Sequence, residues 1–162
     1  MKNLGRVLIV DDEKVMRDSL AEWLELDNFK VETAENGMEA LKKIEAEPPD
    51  VLVVDIKMPG MDGVTLLKKI KERDQDLPVI MMTAFATVEN AVRSMKDGAY
   101  DFITKPFPPE KLTNLLRHVI EHNQLKQENI KLQSERRHIL HIAISVLVSF
   151  VVLLVLLYFI FR

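Results

Sequence analysis

Short runs of aliphatic and β-branched residues alternate along the chain with longer segments in which apolar residues recur every three or four positions. The short runs predict β-strands and the longer segments predict amphipathic helices. Three of the runs are almost continuously apolar, as expected for parallel strands covered by helices on both faces, whereas the second run is more polar and suits an edge. The predicted strands are Arg6–Val10, Lys30–Ala34, 51–54, Val79–Thr83 and Asp101–Thr104.

The five helical segments follow the five strands one by one. Asp62 is a suitable N-cap for the third helix, Thr87 precedes the fourth, and Gly98 is a suitable residue to end it. Five β-α units within about 120 residues predict an α/β fold, a doubly wound five-stranded parallel sheet with right-handed crossovers. The predicted apolar positions are, helix by helix, Met16, Leu20, Trp23 and Leu24; Ala40, Leu41 and Ile44; Leu66, Leu67 and Ile70; Ala91, Val92 and Met95; and Leu112, Leu115, Leu116, Val119 and Ile120.

The composition changes abruptly near residue 138. Residues 139–161 contain no Asp, Glu, Lys or Arg, and about 18 of them are Ile, Leu, Val or Phe. As a helix this segment is about 34 Å long, enough to cross a hydrocarbon core of about 30 Å. We therefore expect one transmembrane helix at 139–161. The basic residues just before it, and only Arg162 after it, predict a tail-anchored, single-pass protein of the inner (cytoplasmic) membrane with its N-terminal domain in the cytoplasm.

Residues 123–138 form a predicted helical linker with two interpretations. A spacing of alternately three and four residues indicates a weak heptad register, and Asn129 at a buried-type position of it could specify a parallel homodimer. The alternative is a solvated helical stalk, because few of these positions are large and apolar. The residues that keep the spacing are Leu115, His118, His122, Leu125, Asn129, Leu132, Arg136 and Ile139.

Charge and cysteine content narrow the functional classes. The formal net charge is −3 with both signs spread along the chain, so the bulk electrostatics give no indication of a nucleic-acid partner. The chain has no Cys, which excludes disulfides and thiolate metal sites. The apolar run near the N-terminus is only four residues long, so we expect no signal peptide.

Polar residues stand at the ends of four of the predicted strands. Asp11 and Asp12 follow the first strand, Asp55 the third and Lys105 the fifth, while Thr83 ends the fourth. The carboxyl ends of parallel strands meet at one edge, where ligands bind in such folds. Each Asp taken alone could simply cap a helix, but three carboxylates converging with an ammonium and a hydroxyl indicate a site.

The charges of this group indicate what it binds. Three carboxylates and one ammonium leave a net charge of −2, which is unfavourable in a partly desolvated crevice and is balanced by one Mg²⁺. A magnesium site with an Asp nucleophile predicts phosphoryl transfer. In this interpretation the Asp55 carboxylate attacks in line, and the metal and Lys105 neutralise the phosphoryl oxygens.

The chain resembles bacterial response-regulator receiver domains in four segments, VLIVDDE, VLVVDIKMPGMDG, VIMMTA and GAYDFITKPF, over roughly residues 4–122. The resemblance implies a receiver domain at 1–122 with a flavodoxin-like sheet of strand order 2-1-3-4-5. It also implies that Asp55 is the phosphoacceptor. Mg²⁺ would be held by Asp11, Asp12, Asp55 and the backbone carbonyl of Lys57.

The remaining roles also come from the resemblance. Lys105 would contact the phosphoryl group through a segment with a cis Lys105–Pro106 bond, and Thr83 and Phe102 would be the switch residues. Phe102 lacks a hydroxyl, so only its packing can report a change of rotamer. Phe85 has no polar group to position water, which predicts slow self-hydrolysis of the phosphoryl group.

The partners implied are a histidine kinase or phosphotransfer protein as donor. Receivers of nitrogen-regulatory-type transcription activators look most similar, and we expect this chain to lack the ATPase and DNA-binding domains of those proteins. We therefore expect a non-enzymatic regulator that signals to a protein at the membrane, with no nucleic-acid contact. The alternatives are a phosphate sink and a passive membrane-anchored dimerisation module. A phosphohydrolase is disfavoured because Lys57 stands where such enzymes carry a second Asp.

Overall fold

The computed structural model describes the backbone of residues 4–84 and 88–160; the side chains of 88–91, 130, 138, 143 and 146–160 lie outside the description. The chain divides into two compact units, Met1–Glu121 and His122–Arg162. The functional site predicted from the sequence falls in the first unit.

The first unit is built around a five-stranded sheet in which every neighbouring pair is parallel. The strand order is β2-β1-β3-β4-β5, so the predicted doubly wound, flavodoxin-like sheet is confirmed. The strands are β1 (Arg6–Val10), β2 (Lys30–Ala34), β3 (Val51–Asp55), β4 (Val79–Thr83) and β5 (Asp101–Thr104). The helices are α1 (Lys14–Leu26), α2 (Gly37–Ala46), α3 (Gly63–Arg73), α4 (Val88–Lys96) and α5 (Pro109–Ile160), the last of which continues into the second unit.

Strand residues alternate between two apolar layers, one on each face of the sheet. One layer contains Val7, Ile9, Val51 and Val53 together with side chains of α1 and α5. The other contains Leu8, Val10, Leu52 and Val54 together with side chains of α2 and α3. Because both faces of β1, β3 and β4 are covered, every residue of these strands is buried and the sequence runs are continuously apolar.

The register of the sheet brings the carboxyl ends of the central strands to one edge. Val10 of β1 is level with Val54, and Asp55 at the end of β3 is level with Met82. Thr83 in turn pairs with Thr104, the last residue of β5. The residues that follow β1, β3 and β5 therefore emerge beside one another, which positions the site.

The predicted helix ends are confirmed where the structure describes them. The Asp62 carboxylate caps α3 by accepting the Thr65 N–H at 2.7 Å. Gly98 follows α4 with a φ of +95°, a left-handed conformation that favours glycine. Thr87, the predicted start of the fourth helix, lies outside the described residues.

Two predicted apolar stripes are partly wrong. Trp23 on α1 is 39% exposed, because Leu20 and Leu24 fill the layer beneath the helix and leave the indole at its flank. On α4, Val92 and Met95 are 46% and 48% exposed, whereas Ser94 is fully buried. The helix is therefore rotated relative to the stripe that the spacing suggested.

The second unit consists of the remainder of α5. Among the residues that the structure describes, no helix is both long enough and apolar enough to cross a membrane. The fold therefore gives no support to the transmembrane helix predicted at 139–161. Most side chains of that segment lie outside the described residues.

Candidate functional site

Lys105 joins two carboxylates at the edge of the sheet. Its Nζ donates hydrogen bonds to Asp11 Oδ2 and to Asp55 Oδ1, each over 2.7 Å. The side chains of Asp11 and Asp55 are 1% and 9% exposed, and that of Lys105 is 12% exposed. Residues from the ends of β1, β3 and β5 are thus tied together in a nearly water-free cluster, as the sequence predicted for these three side chains.

The second oxygen of each carboxylate is held by its own loop. Asp11 Oδ1 accepts the Glu13 N–H at 2.9 Å, and Asp55 Oδ2 accepts the Lys57 N–H at 2.8 Å. Both are hydrogen bonds from a side chain to the backbone two residues further on, which fix the turn and the side chain together. The carboxylates are consequently preorganised on both sides.

The protonation behaviour of the cluster follows from two anions sharing one cation. Burial raises the pKa of the Asp55 carboxyl; the hydrogen bond from Lys105 opposes this shift, and repulsion from Asp11 adds to it. Burial tends to lower the pKa of Lys105, but its hydrogen bonds to Asp11 and Asp55 outweigh burial and raise it. The two upward pKa shifts are consistent with each other. The Lys105 ammonium has two carboxylate partners, whereas the Asp55 carboxylate shares its single ammonium partner with Asp11.

Thr83 and Phe102 lie on the strands beside this cluster. Thr83 is buried at the end of β4, and its carbonyl oxygen accepts the backbone N–H of Lys105 at 2.7 Å. Phe102 on β5 is half-buried and packs against the layer that contains α2 and α3. The Lys105–Pro106 bond is cis, as expected. Phe85, on which the expected slow hydrolysis rests, lies outside the described residues.

The three carboxylates predicted to meet around a metal are not assembled as a group. Among the described residues, no cluster of three or more Asp, Glu or His side chains is close enough to hold a metal ion. The reason is that Asp12 is exposed and lines a neighbouring cavity of about 600 Å³, while Lys105 lies between Asp11 and Asp55. Lys57 is exposed as well, and its N–H points to Asp55.

The donors present nevertheless suit magnesium. Asp11 and Asp55 offer hard carboxylate oxygens, and the cluster of these two with Lys105 has a net negative charge. Mg²⁺ needs only one or two carboxylates from the protein and keeps several waters.

Two residues that shape the site were missed by the sequence patterns. Gly63, the first residue of α3, lies so close to β3 that a Cβ there would be 2.1 Å from the Asp55 carbonyl oxygen. Arg17 on α1 is buried, and its Nη1 donates to the Asp11 carbonyl oxygen at 2.6 Å. Gly63 follows a helix cap and so resembles an ordinary turn glycine. Arg17 is a charged residue on a helix, and such residues are normally predicted to lie on the surface. No signal in the sequence separated them from those cases.

Comparison with known proteins agrees with this architecture. Residues 7–117 match the family model described as "Response regulator receiver domain". The chain is 40% identical over 138 residues to the C4-dicarboxylate transport transcriptional regulatory protein DctD of Pseudomonas aeruginosa, covering 84% of this chain and 30% of that one. It is 42% identical over 124 residues to the DNA-binding transcriptional regulator NtrC of Escherichia coli, covering 76% of this chain and 26% of the relative.

Solved structures show the same relationship. NtrX from Brucella abortus in complex with ATP superposes with a TM-score of 0.75 and 35% identity over 80% of this chain and 30% of NtrX. A CheY-like receiver domain protein from Methanospirillum hungatei superposes with a TM-score of 0.72 and 36% identity over 75% of this chain and 97% of that protein. The chain spans less than a third of the length of the curated relatives named above. It belongs to the response regulator receiver domain family, the phosphoacceptor modules of two-component signalling.

Proposed function

We propose that Asp55 accepts a phosphoryl group from a histidine kinase or phosphotransfer protein. The observation that carries this proposal is the Lys105 ammonium, which lies 2.7 Å from both Asp55 and Asp11. An Asp55 oxygen attacks phosphorus as the P–N bond of phosphohistidine breaks, and the released imidazole nitrogen takes a proton from solvent. Lys105, already at the attacked side, neutralises charge on the transferring oxygens.

Receiver domains generally bind Mg²⁺ at the phosphorylation site, and this chain would hold it through Asp11, Asp12, Asp55 and the backbone carbonyl of Lys57. The ion supplies positive charge that lets an anionic donor approach an anionic nucleophile. Burial raises the pKa of the Asp55 carboxyl and repulsion from Asp11 adds to the rise, so a cation bound here would favour the ionised form that attacks phosphorus.

The phosphorylated state would be reported through Thr83 and Phe102. Thr83 provides the hydroxyl at the end of β4, and Phe102 is the aromatic side chain of β5, packed against the layer that contains α2 and α3. The surface formed by α4, β5 and the first turns of α5 would then contact a downstream protein. Exposed Val92 and Met95 on α4 favour this surface as one that binds a partner.

We further propose that the chain is a phosphoacceptor and not an enzyme acting on external phosphoesters. Lys57 stands two residues after Asp55, where a second acid would be needed to protonate a leaving alcohol. A receiver that passes its phosphoryl group on, or holds it as a sink, would have the same site. Phosphoryl relay and phosphate storage are distinguished by measuring whether the chain alters the output of a phosphorylated partner.

The assignment of Asp55 is tested by labelling. Wild-type chain, an Asp55→Asn variant and an Asp18→Asn control are incubated with acetyl phosphate and MgCl₂, and intact mass is recorded. Asp18 is a suitable control because it is exposed on the surface of α1, where its carboxylate pairs with Lys14. We expect one added phosphoryl group (about 80 Da) in wild type and Asp18→Asn and none in Asp55→Asn. Continued labelling of Asp55→Asn would refute the assignment.

Membrane attachment is a separate part of the proposal, supported by the uncharged composition of residues 139–161. Insertion of about 18 large apolar residues favours the bilayer by a few tenths of a kcal/mol each. The test is fractionation of cells that express the full chain, with a Leu153→Arg/Leu154→Arg variant as control, since each Arg opposes insertion by about 3 kcal/mol. We expect wild type to resist carbonate extraction and the double variant to be released. Release of both would remove the membrane from the proposal.

A second candidate output is transcription. DctD of Pseudomonas aeruginosa and NtrC of Escherichia coli are transcriptional regulators, and this chain corresponds to less than a third of the length of each. The composition of residues 139–161 favours the membrane over DNA for the residues present. Binding of promoter DNA by the purified chain, retained at 150 mM salt, would favour the transcriptional alternative.

A further inference from the structure

A buried cation on α1 lies beside the acidic edge of the sheet. The side chain of Arg17 is largely removed from solvent, although Arg is normally exposed unless it is paired. Its Nη1 donates a hydrogen bond over 2.6 Å to the main-chain carbonyl oxygen of Asp11, and not to a carboxylate. Because burying a guanidinium costs free energy, its position against this carbonyl indicates a role in the site.

Every polar group of Asp11 is held by a neighbouring residue. Its N–H donates to the Ala34 carbonyl oxygen at 3.2 Å, and its carboxylate accepts hydrogen bonds from Glu13 and Lys105. Arg17 supplies the remaining contact, at the carbonyl oxygen. The contacts of the N–H and of the carboxylate do not involve Arg17, so removing Arg17 would free the carbonyl alone.

That carbonyl belongs to the peptide unit that joins Asp11 to Asp12. A peptide unit is planar, so the direction of the carbonyl also fixes the directions of the Asp12 nitrogen and Cα. The Asp12 side chain is exposed, and among the residues that the structure describes no group donates a hydrogen bond to it. The position of the Asp12 carboxylate therefore depends on the backbone that Arg17 holds.

We propose that Arg17 is a positioning residue for Mg²⁺ binding: by holding the Asp11 carbonyl, it orients the Asp11–Asp12 backbone so that both carboxylates serve one ion. This role rests on the proposed function, because it takes Asp11 and Asp12 as metal ligands. Arg17 acts through Asp11, as outer-shell partners of metal ligands do. Its charge has the opposite effect, since a guanidinium near the site repels a dication. Loss of Arg17 therefore weakens metal binding if Arg17 positions the backbone, and strengthens metal binding if only its charge matters.

Direct measurement of Mn²⁺ affinity tests this sign. Mn²⁺ replaces Mg²⁺ as the probe because carboxylate sites suit both ions, and unbound Mn²⁺ is counted by electron paramagnetic resonance. The purified full chain is compared with Arg17→Met, Arg17→Lys and the control Arg73→Met, in which the replaced Arg is exposed on α3. We expect binding about tenfold weaker in Arg17→Met, as for other lost outer-shell partners. Arg17→Lys, which keeps a hydrogen-bond donor, should have an intermediate affinity, and Arg73→Met should bind like wild type.

Phosphoryl labelling gives an independent readout. The MgCl₂ concentration that half-saturates labelling by acetyl phosphate should rise about tenfold in Arg17→Met, whereas the rate at saturating MgCl₂ should stay that of wild type. Urea unfolding in EDTA, followed by the fluorescence of Trp23, shows whether each variant is folded. If Arg17→Met is not folded, Arg17→Gln takes its place, because Gln is polar, neutral and shorter than Arg.

Wild-type or tighter Mn²⁺ binding by the neutral variant would overturn the positioning role and leave the proposed function intact. Equal loss of affinity in Arg17→Lys and Arg17→Met would also overturn it, because the hydrogen bond to Asp11 would then make no difference. A wild-type chain that binds no Mn²⁺ and is labelled without Mg²⁺ would instead refute the metal site of the proposed function, and the role of Arg17 with it.

Discussion

Replacing Gly63 by Ala tests the close approach of the start of α3 to the backbone of Asp55, the proposed phosphoacceptor. Helix propensity alone predicts that Ala stabilises a helix relative to Gly by roughly 0.5–1 kcal/mol. The close approach to β3 predicts the opposite sign. A single measurement of stability therefore separates the two effects.

The size of the effect follows from the distances. A Cβ on residue 63 would lie 2.1 Å from the Asp55 carbonyl oxygen and 2.9 Å from Ile56 Cα. An ordinary carbon–oxygen contact is more than 3 Å, so the backbone must separate by roughly 1 Å, and both neighbours are main-chain atoms that cannot rotate away. Overpacking of this kind costs about 1–3 kcal/mol, so after the gain in propensity is subtracted we expect a net loss of about 1 kcal/mol.

Urea unfolding followed by the fluorescence of Trp23, the sole tryptophan, measures this loss. Gly60→Ala is the matched control: Gly60 has a φ of +78° with open space around it, so Ala there strains the backbone by about 1–2 kcal/mol without touching Asp55. We expect Gly63→Ala, and not Gly60→Ala, to slow labelling by acetyl phosphate at least tenfold, since Asp55 is displaced. A Gly63→Ala chain as stable as wild type would refute the close approach.

Three further changes probe the charges of the site and the cap of α3. Lys105→Met should destabilise the chain at pH 7 by about 2 kcal/mol, less than the roughly 3–5 kcal/mol lost when one partner of a fully buried ion pair is removed. The loss should shrink near pH 4 as Asp55, whose pKa is raised by burial, takes up a proton, and urea unfolding at both pH values measures the change. Asp55→Asn should raise the free energy of unfolding in EDTA at pH 7, because the raised pKa of Asp55 means that its ionised form opposes folding. This gain in stability should vanish below the ordinary carboxyl pKa, where Asp55 is protonated in both the folded and the unfolded chain. Asp62→Ala should lower the stability measured by thermal unfolding by about 1 kcal/mol at pH 7, because the helix loses its cap. The loss should be smaller at pH 3: hydrogen bonds from Thr65 lower the pKa of Asp62, so its contribution to stability disappears as the pH falls through that pKa.

The sheet could be predicted closely because three of its five strands, β1, β3 and β4, are buried on both faces. Four of the five strands have the predicted bounds, and the third ends one residue later, at Asp55. A strand with two covered faces must be apolar at nearly every position, so it is bounded in the sequence by its first polar neighbour. The same rule predicted Asp11 and Thr83, because the polar residue that ends a buried strand is at the edge of the sheet. Lys105 follows β5, which is only partly buried, and was predicted from its place after the fifth strand.

The helices were less predictable because spacing gives a stripe but not the direction it faces. On α4, Val92 and Met95 share a spacing with Ala91, yet Ser94 faces the protein and the other two face solvent. Contacts between residues that are distant in the sequence cannot be predicted from spacing along the chain. The positions of Gly63 and Arg17 matter only because distant backbone segments come within contact distance of them.

The cluster of Asp11, Asp55 and Lys105 has more negative than positive charge. We infer that this imbalance links phosphorylation of Asp55 to the structural change that follows it. Before transfer, one ammonium is divided between Asp11 and Asp55, so neither carboxylate is neutralised. Transfer would convert the carboxylate of Asp55 into an acyl phosphate and bring a group of about two negative charges, which would attract Lys105 and the Thr83 hydroxyl more strongly than Asp11 does. The Lys105 N–H is bonded to the Thr83 carbonyl oxygen at 2.7 Å, so a shift of Lys105 acts directly on the end of β4. We infer that the contact between β4 and β5 carries the charge change from Asp55 toward Phe102 and the exposed face of α4.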